Sequence, residues 1–227
     1  MRDLVTLVGK DLRLQGRTGE ILASLFIYSL LVVLILSLGF APVHGSNTEG
    51  RHVIATTLWI ALSFAGVVGA TRTLEIERRD GCLKALRLAG VSPAVLYLAK
   101  TATNAILLAG IQLVTVPVTL VFDDAPTFAI VPRLAFVLGL GVIGFSAIGT
   151  VLATISTRSG GRESLLSILV LPLLIPILVG GMEATRMLLA EGAFLNPDSI
   201  LWLKVLVVYD IVFLAVPMLL FEYLIED

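Results

Sequence analysis

The sequence has 227 residues, of which 57% are hydrophobic and only 15% are charged, and its net charge is −1. Soluble domains carry about a quarter of their residues as charged side chains, so this composition excludes a water-facing exterior and indicates a protein embedded in a lipid bilayer. The near-zero net charge argues against a nucleic acid as partner. A single cysteine, Cys82, excludes an intrachain disulfide and a multi-cysteine metal site.

The first 20 residues are predicted to form an amphipathic helix that lies in the cytoplasmic membrane interface. Apolar side chains recur there at i, i+3 and i+4 spacing with basic residues among them, which is typical of an interfacial helix. We treat residues 1–20 as a separate interface helix and residues 21–227 as one transmembrane domain. The apolar positions are Leu4, Leu7, Val8 and Leu12, and the basic ones are Arg2, Lys10, Arg13 and Arg17.

Six later segments are long and apolar enough to cross a membrane. A spanning helix needs about 20 apolar residues, because each residue adds about 1.5 Å across a hydrocarbon core of about 30 Å. The sequence therefore predicts an all-α integral membrane fold with six transmembrane helices. The segments are Ile21–Ala41, Val53–Leu74, Val95–Phe122, Val131–Ile155, Ser164–Met182 and Ile200–Phe221.

The basic residues between these segments are distributed unevenly. Segments 1–20, 71–94 and 156–163 contain eleven Lys and Arg residues, whereas 42–52, 123–130 and 183–199 contain two. By the positive-inside rule this excess places both termini in the cytoplasm. Residues 183–196 mix apolar and charged side chains, and we expect them to dip back into the outer leaflet.

The sequence has no recognisable catalytic or nucleotide-binding motif. It lacks the G-x-x-x-x-G-K-[ST] phosphate loop, H-E-x-x-H, C-x-x-C and a convincing Ser/His/Asp set. We therefore expect that the protein is not an enzyme, and that any energy-driven work depends on a partner that hydrolyses ATP.

The cytoplasmic stretch Glu75–Lys100 (EIERRDGCLKALRLAGVSPAVLYLAK) is a candidate docking site. Charges crowd its first six residues, and a short amphipathic turn then lies between glycine and proline breaks. Such a turn could dock a soluble subunit; the alternative is an ordinary charged loop. The candidate docking residues are Gly81, Leu83, Lys84, Leu86, Arg87 and Leu88.

Three positions inside the predicted spans are candidates for a substrate path or for coupling. Pro172 and Pro176 lie one turn apart and each removes a helix hydrogen bond, which favours either a hinge or a static kink. Asp210 is near the middle of the sixth span, where a carboxylate costs about 2.5–3.5 kcal/mol. It is either functional or a structural acid, and in both cases we expect it to find a partner, either Tyr209 or a Ser or Thr on another helix.

The remaining candidates are weaker. His44 and His52, in the first outward loop, could ligate a metal or haem iron, but solvated loop histidines are the commoner case. Small residues in the second and fourth spans predict close helix packing. They are Ala61, Ala65 and Gly69, and Gly139, Gly141, Gly144 and Gly149.

Three stretches together resemble the CcmB family, the haem-exporter permeases of bacterial cytochrome c maturation. The first is KDLRL at Lys10–Leu14, which leads through Gly19-Glu20 into the first span. The second is Glu77–Lys100, with its DG-x-L-x-x-L pattern, Pro93 and the Ala99-Lys100 pair. The third and most specific is Arg158–Pro176, in which GG is followed by LLSILVLP-x-x-IP. The charged pair Arg162-Glu163 departs from the family, which usually continues there with apolar residues.

The resemblance implies an ABC-2-type permease with six helices per subunit, two copies of which bracket a pathway in the bacterial inner membrane. It further implies a separate cytoplasmic ATPase subunit, companion membrane proteins of cytochrome c maturation and a periplasmic haem chaperone. Gly81–Leu88 would then be the coupling helix that contacts the ATPase. Haem would be the cargo rather than a firmly bound cofactor, and ATP would act only through the partner.

Other functions remain open at this point. The chain could be an ABC-2-type permease for a lipid or a drug, or a scaffold that assembles membrane partners without transport. A proton-coupled carrier would depend on Asp210 alone, and a membrane enzyme would need a paired acid and base or a metal-ligand set that no span contains.

Overall fold

The computed structural model describes residues 2–40, 48–80, 92–122, 128–158, 163–194 and 196–225. Within these ranges the chain is all-helical and contains no strand, as the sequence predicts. A 3₁₀ turn, Phe128–Ile130, precedes the fifth helix. The helices are α1 (Arg2–Thr18), α2 (Glu20–Gly39), α3 (Thr48–Asp80), α4 (Pro93–Phe122), α5 (Val131–Arg158), α6 (Glu163–Glu191) and α7 (Pro197–Ile225).

Helices α2 to α7 each contain a segment that is long and apolar enough to cross a membrane, which confirms the six predicted spans. The remaining helix, α1, is amphipathic, as predicted. Gly19 separates α1 from α2 in a left-handed conformation with φ of 60°, which favours glycine. The spanning segments are Leu22–Gly39, Thr48–Gly69, Pro93–Phe122, Val131–Leu152, Pro172–Glu191 and Pro197–Leu219.

Helices α3 and α6 extend furthest beyond the spans predicted from hydropathy. Helix α3 has 33 residues and continues through the charged run up to Asp80. Helix α6 continues to Glu191, so residues 183–191 extend the fifth spanning helix and do not form the separate re-entrant segment that we expected. Two charges fit within α6 because Arg186 donates to Glu183 one turn earlier, with 2.6 Å between their nitrogen and oxygen atoms. Gly192, with φ of 70°, ends the helix.

The bundle is built around α3 and α5. About two thirds of the α5 span is buried (67%) and 61% of the α3 span, whereas the α2 and α7 spans are only 22% buried and lie at the periphery. The core is therefore formed mainly by α3 and α5, with contributions from the inner faces of α4, α6 and α7. Its largest fully buried side chains on these helices include Ile54, Leu58, Trp59, Leu62, Leu134, Phe145, Ile148, Ile177, Leu188 and Leu206.

Trp59 of α3 occupies a slot made by two glycines. A Cβ atom on Gly141 of α5 would lie 2.6 Å from the indole ring, and one on Gly181 of α6 would lie closer still. The indole N–H donates to Oγ1 of Thr185 on α6, 2.9 Å away. One aromatic side chain thus joins three helices and has its polar atom satisfied, as a buried tryptophan requires. The predicted close packing is confirmed at Gly141, whereas nothing lies within 4 Å of a Cβ on Gly139.

Tyr97 of α4 compensates for a proline in α7. Pro217 has no N–H, so it cannot bond the carbonyl of Phe213, four residues earlier. The hydroxyl of Tyr97 donates to that carbonyl at 2.6 Å. The carbonyl of Ala147 on α5 lies 3.3 Å from the same oxygen. A lost backbone bond in the membrane is thereby replaced by a contact between helices.

Candidate functional site

One face of α1 packs against the bundle. Its buried side chains, Leu7, Asp11 and Gln15, are spaced four residues apart and therefore lie on one side of the helix. Val5 and Leu14 are exposed on the rest of its surface. Helix α1 thus has two kinds of surface, one packed against the protein and one whose apolar side chains are exposed.

A buried ion pair joins α1 to α4. Nζ of Lys100 lies 2.5 Å from Oδ2 of Asp11, and both side chains are at most 7% exposed. Lys10 approaches the other carboxylate oxygen at 3.1 Å from the solvent side. Taking two charges out of water is costly unless they are close together and hydrogen-bonded, so a shift of α1 along α4 would leave both charges buried without their partner.

The ion pair also brings together two of the stretches that carried the family resemblance. Asp11 belongs to KDLRL, and Lys100 ends the second stretch. Lys100 is seven residues into α4, about 10 Å from its start at Pro93. The candidate docking residues Gly81, Leu83, Lys84, Leu86, Arg87 and Leu88 lie outside the described residues, in the segment that connects α3 to α4.

A second cluster lies within the membrane-spanning part of the bundle, at Asp210. This side chain is only 6% exposed, as expected for an acid that faces the interior. The expected partner is absent, however. Neither carboxyl oxygen has a hydrogen-bond partner in the part of the chain that the structure describes. The hydroxyl of Tyr209 donates instead to the carbonyl of Leu173 at 2.9 Å.

The hydrogen bond from Tyr209 to Leu173 also places the two candidate prolines near this cluster. Pro172 and Pro176 both lie inside α6 with their rings exposed at the bundle surface. Leu173, whose carbonyl accepts from Tyr209, lies in the turn between them. The structure therefore brings Asp210 and the double-proline turn, which are far apart in sequence, to the same contact between α6 and α7.

The histidine candidates are not brought together by any described contact. His52 is exposed on the first turns of α3, and His44 lies outside the described residues. Within the described ranges, no group of three or more His, Cys, Asp or Glu side chains could hold a metal ion.

Several residues of these clusters were not identified from the sequence. Asp11 could have been noticed, because it is an acid four residues from Leu7 on the apolar face of an amphipathic helix. Lys100 was visible as a charge inside a predicted span. Tyr97 and Gly181 carry no such signal, because their roles depend on which helices become neighbours.

Comparison with known proteins relates the whole chain to one family. The model of the CcmB protein family matches residues 2–222. The chain is 31% identical to Heme exporter protein B of Paracoccus denitrificans (strain Pd 1222) over 182 residues, which cover 78% of this chain and 79% of that relative. No solved structure matches it. The family match includes α1, all six spans and both clusters described above.

Proposed function

Because this chain belongs to the CcmB protein family, we propose that it is the membrane-embedded permease subunit of an ABC transporter that exports haem for c-type cytochrome biogenesis. The observation that carries this proposal is the family match over residues 2–222, supported by the relative named Heme exporter protein B. Six apolar helices of spanning length support a multi-pass membrane location. The specific membrane we propose is the bacterial inner membrane, with both termini in the cytoplasm.

The energy for transport comes, in this proposal, from a separate cytoplasmic ATPase subunit. The sequence contains no phosphate loop with which to bind ATP itself. We assign the docking role to Gly81–Leu88, where leucines would enter a groove of the ATPase and the basic residues would contact its rim. The chain acts as one of two copies in a complex with other cytochrome c maturation membrane proteins and a periplasmic haem chaperone.

The contact between α1 and α4 would transmit a movement at the docking segment to α1. Only residues 89–92 separate the docking segment from α4 in the sequence, and α4 contacts α1 through Lys100 and Asp11. A displacement of the start of α4 by the ATPase would therefore carry α1 with it. Haem is cargo in this account, so no residue of the bundle is assigned as a permanent haem ligand.

Co-purification tests the docking assignment. Leu83→Asp with Leu86→Asp should abolish recovery of the ATPase with the full-length chain, because two charges would replace the apolar side of the docking turn. The matched control is Leu83→Met with Leu86→Met, which keeps that side apolar and should retain the ATPase. Normal recovery with the aspartate variant, while membrane insertion is intact, would eliminate Gly81–Leu88 as the docking site.

A further inference from the structure

The carboxyl group of Asp210 lies in a tightly packed contact between two helices. It is packed against the backbone of α5 at Gly144. A Cβ atom on Gly144 would lie 2.7 Å from Oδ1 of Asp210 and 3.1 Å from the ring of Tyr209, and it would overlap the tip of Ile177. The carboxyl group thus occupies space that exists because residue 144 has no side chain. We call this contact between α5 and α7 the Gly144 seam.

No described group near the seam offers Asp210 a counter-charge. Between Leu134 and Thr154, α5 has no ionisable side chain, and α6 has none between Pro172 and Met182. On α4, the ammonium group of Lys100 is paired with Asp11. The hydroxyls of Tyr209 and Tyr97 donate to backbone carbonyls of Leu173 and Phe213.

The position of Asp210 along α7 also keeps it from water at either surface. It is 13 residues from Pro197 and nine from Leu219, the two ends of the spanning segment, which correspond to about 20 and 14 Å of helix. An aspartate side chain is too short to cover such distances by extending towards the interface. Burial of an unpaired carboxylate is so unfavourable that the group takes up a proton instead.

We propose that Asp210 is a proton-binding site: its carboxyl group is protonated while the Gly144 seam is closed, and it exchanges that proton with water only when α5 and α7 separate there. When the carboxyl group is protonated, its O–H group has no hydrogen-bond acceptor among the described residues. A buried donor left unpaired makes the closed seam less stable than a well-paired one would be. The seam therefore opens at a lower energetic cost than a contact of the same size in which every polar group is paired, although it stays closed most of the time.

The neighbouring contact between α6 and α7 determines how the seam opens. Tyr209, next to Asp210, holds the carbonyl of Leu173 in the double-proline turn. Pro172 and Pro176 have no N–H to donate to the preceding turn. Two backbone hydrogen bonds are therefore missing in this part of α6, and it bends there more easily than elsewhere. Movement of α6 at this turn would pull on Tyr209 and expose Asp210 to water, and the carboxyl group would then release its proton.

Infrared spectroscopy of the full chain in lipid nanodiscs at neutral pH tests the protonation directly. A protonated carboxyl group absorbs at a higher frequency than a carboxylate. We expect a protonated-carboxyl band in the wild type that disappears in Asp210→Asn and persists in Glu183→Gln, which removes the acid that is paired with Arg186 on α6. If the wild type and Asp210→Asn had the same absorption in the protonated-carboxyl region, Asp210 would be ionised and the proposal would be overturned.

Exchange into D₂O tests the closed seam. We expect the band to shift slowly in the wild type, and at least tenfold faster in Gly144→Ala, because the added methyl group pushes Asp210 and Ile177 away. Gly139→Ala is the matched control on α5, since nothing lies within 4 Å of its Cβ, and it should exchange at the wild-type rate. If Gly144→Ala does not fold, Tyr209→Phe, which releases Leu173, should also accelerate exchange.

An immediate shift in the wild type, or equal rates in the wild type and in the seam variants, would overturn the closed seam. Neither measurement uses haem or the ATPase. A negative result here therefore leaves the proposed export function standing, and a failure of haem export leaves this proposal standing.

Discussion

Nζ of Lys100 and Oδ2 of Asp11 lie 2.5 Å apart, although 89 positions separate the two residues in the chain. Both are buried, and their contact holds the amphipathic helix α1 against the start of the third span. Helix α1 is therefore part of the folded bundle, and the ion pair forms only when α1 keeps this register along α4.

The first prediction concerns the unequal cost of removing the two partners. Asp11→Ala removes its contacts with both Lys100 and Lys10, whereas Lys100→Met leaves Asp11 within 3.1 Å of Lys10. Breaking a buried pair costs about 3–5 kcal/mol, and we expect Asp11→Ala to approach that value and Lys100→Met to cost less. Thermal unfolding of the purified chain in detergent measures both.

A double replacement separates the charge from the packing. Asp11→Leu with Lys100→Met should unfold near the wild-type temperature, because an apolar pair of similar volume often replaces a buried ion pair without loss. If this double variant were as unstable as Asp11→Ala, the loss in the single variant would come from packing and not from an uncompensated charge.

The second prediction concerns the tryptophan slot. Gly181→Ala should destabilise the chain by about 1–3 kcal/mol, the usual cost of overpacking a core, because its Cβ would overlap the ring of Trp59. Gly139→Ala has open space and should be neutral. Thermal unfolding in detergent compares the two, and equal stability of both variants would contradict the slot.

The third prediction concerns the hydroxyl that replaces a backbone bond. Tyr97→Phe should cost about 1 kcal/mol, because it leaves the carbonyl of Phe213 without the donor that compensates for Pro217. Tyr28→Phe is the matched control, since Tyr28 is 49% exposed, and it should unfold like the wild type. An unchanged stability of Tyr97→Phe would show that this bond contributes nothing.

The fourth prediction concerns the role of Asp210 in transport. Asp210→Asn preserves the size of the side chain, but an amide cannot bind and release a proton as a carboxyl group does. We therefore expect normal amounts of protein in the membrane and a marked loss of c-type cytochromes. Immunoblots of the chain and haem staining of the same cells measure both. Full activity in this variant would mean that Asp210 has only a structural role.

The fold was predictable because hydropathy alone identifies spanning helices. Six windows of about 20 apolar residues can satisfy their backbones in a bilayer only as helices, and each one is present. The ends were less predictable. Helix α3 continues through the charges up to Asp80, because a helix that leaves the apolar layer can extend into polar surroundings.

The sites were predictable as positions but not as contacts. Asp210 was identified because an acid in a span is rare and costly. The prediction that it would bond Tyr209 or a Ser or Thr of another helix was wrong within the described residues, where neither carboxyl oxygen has a partner. Which helices become neighbours is decided by tertiary packing of small and large side chains, such as Gly144 against Asp210. For the same reason the partner of Lys100 could not be assigned from the sequence.

The most direct test of the export function is haem-stained profiling of c-type cytochromes after deletion of this gene, with b-type haem proteins as the internal control. We expect selective loss of the c-type signal, unchanged b-type signal, and recovery when the wild-type chain is supplied again. An unchanged c-type signal would contradict haem export and would indicate an ABC-2-type permease for another cargo or a scaffold without transport.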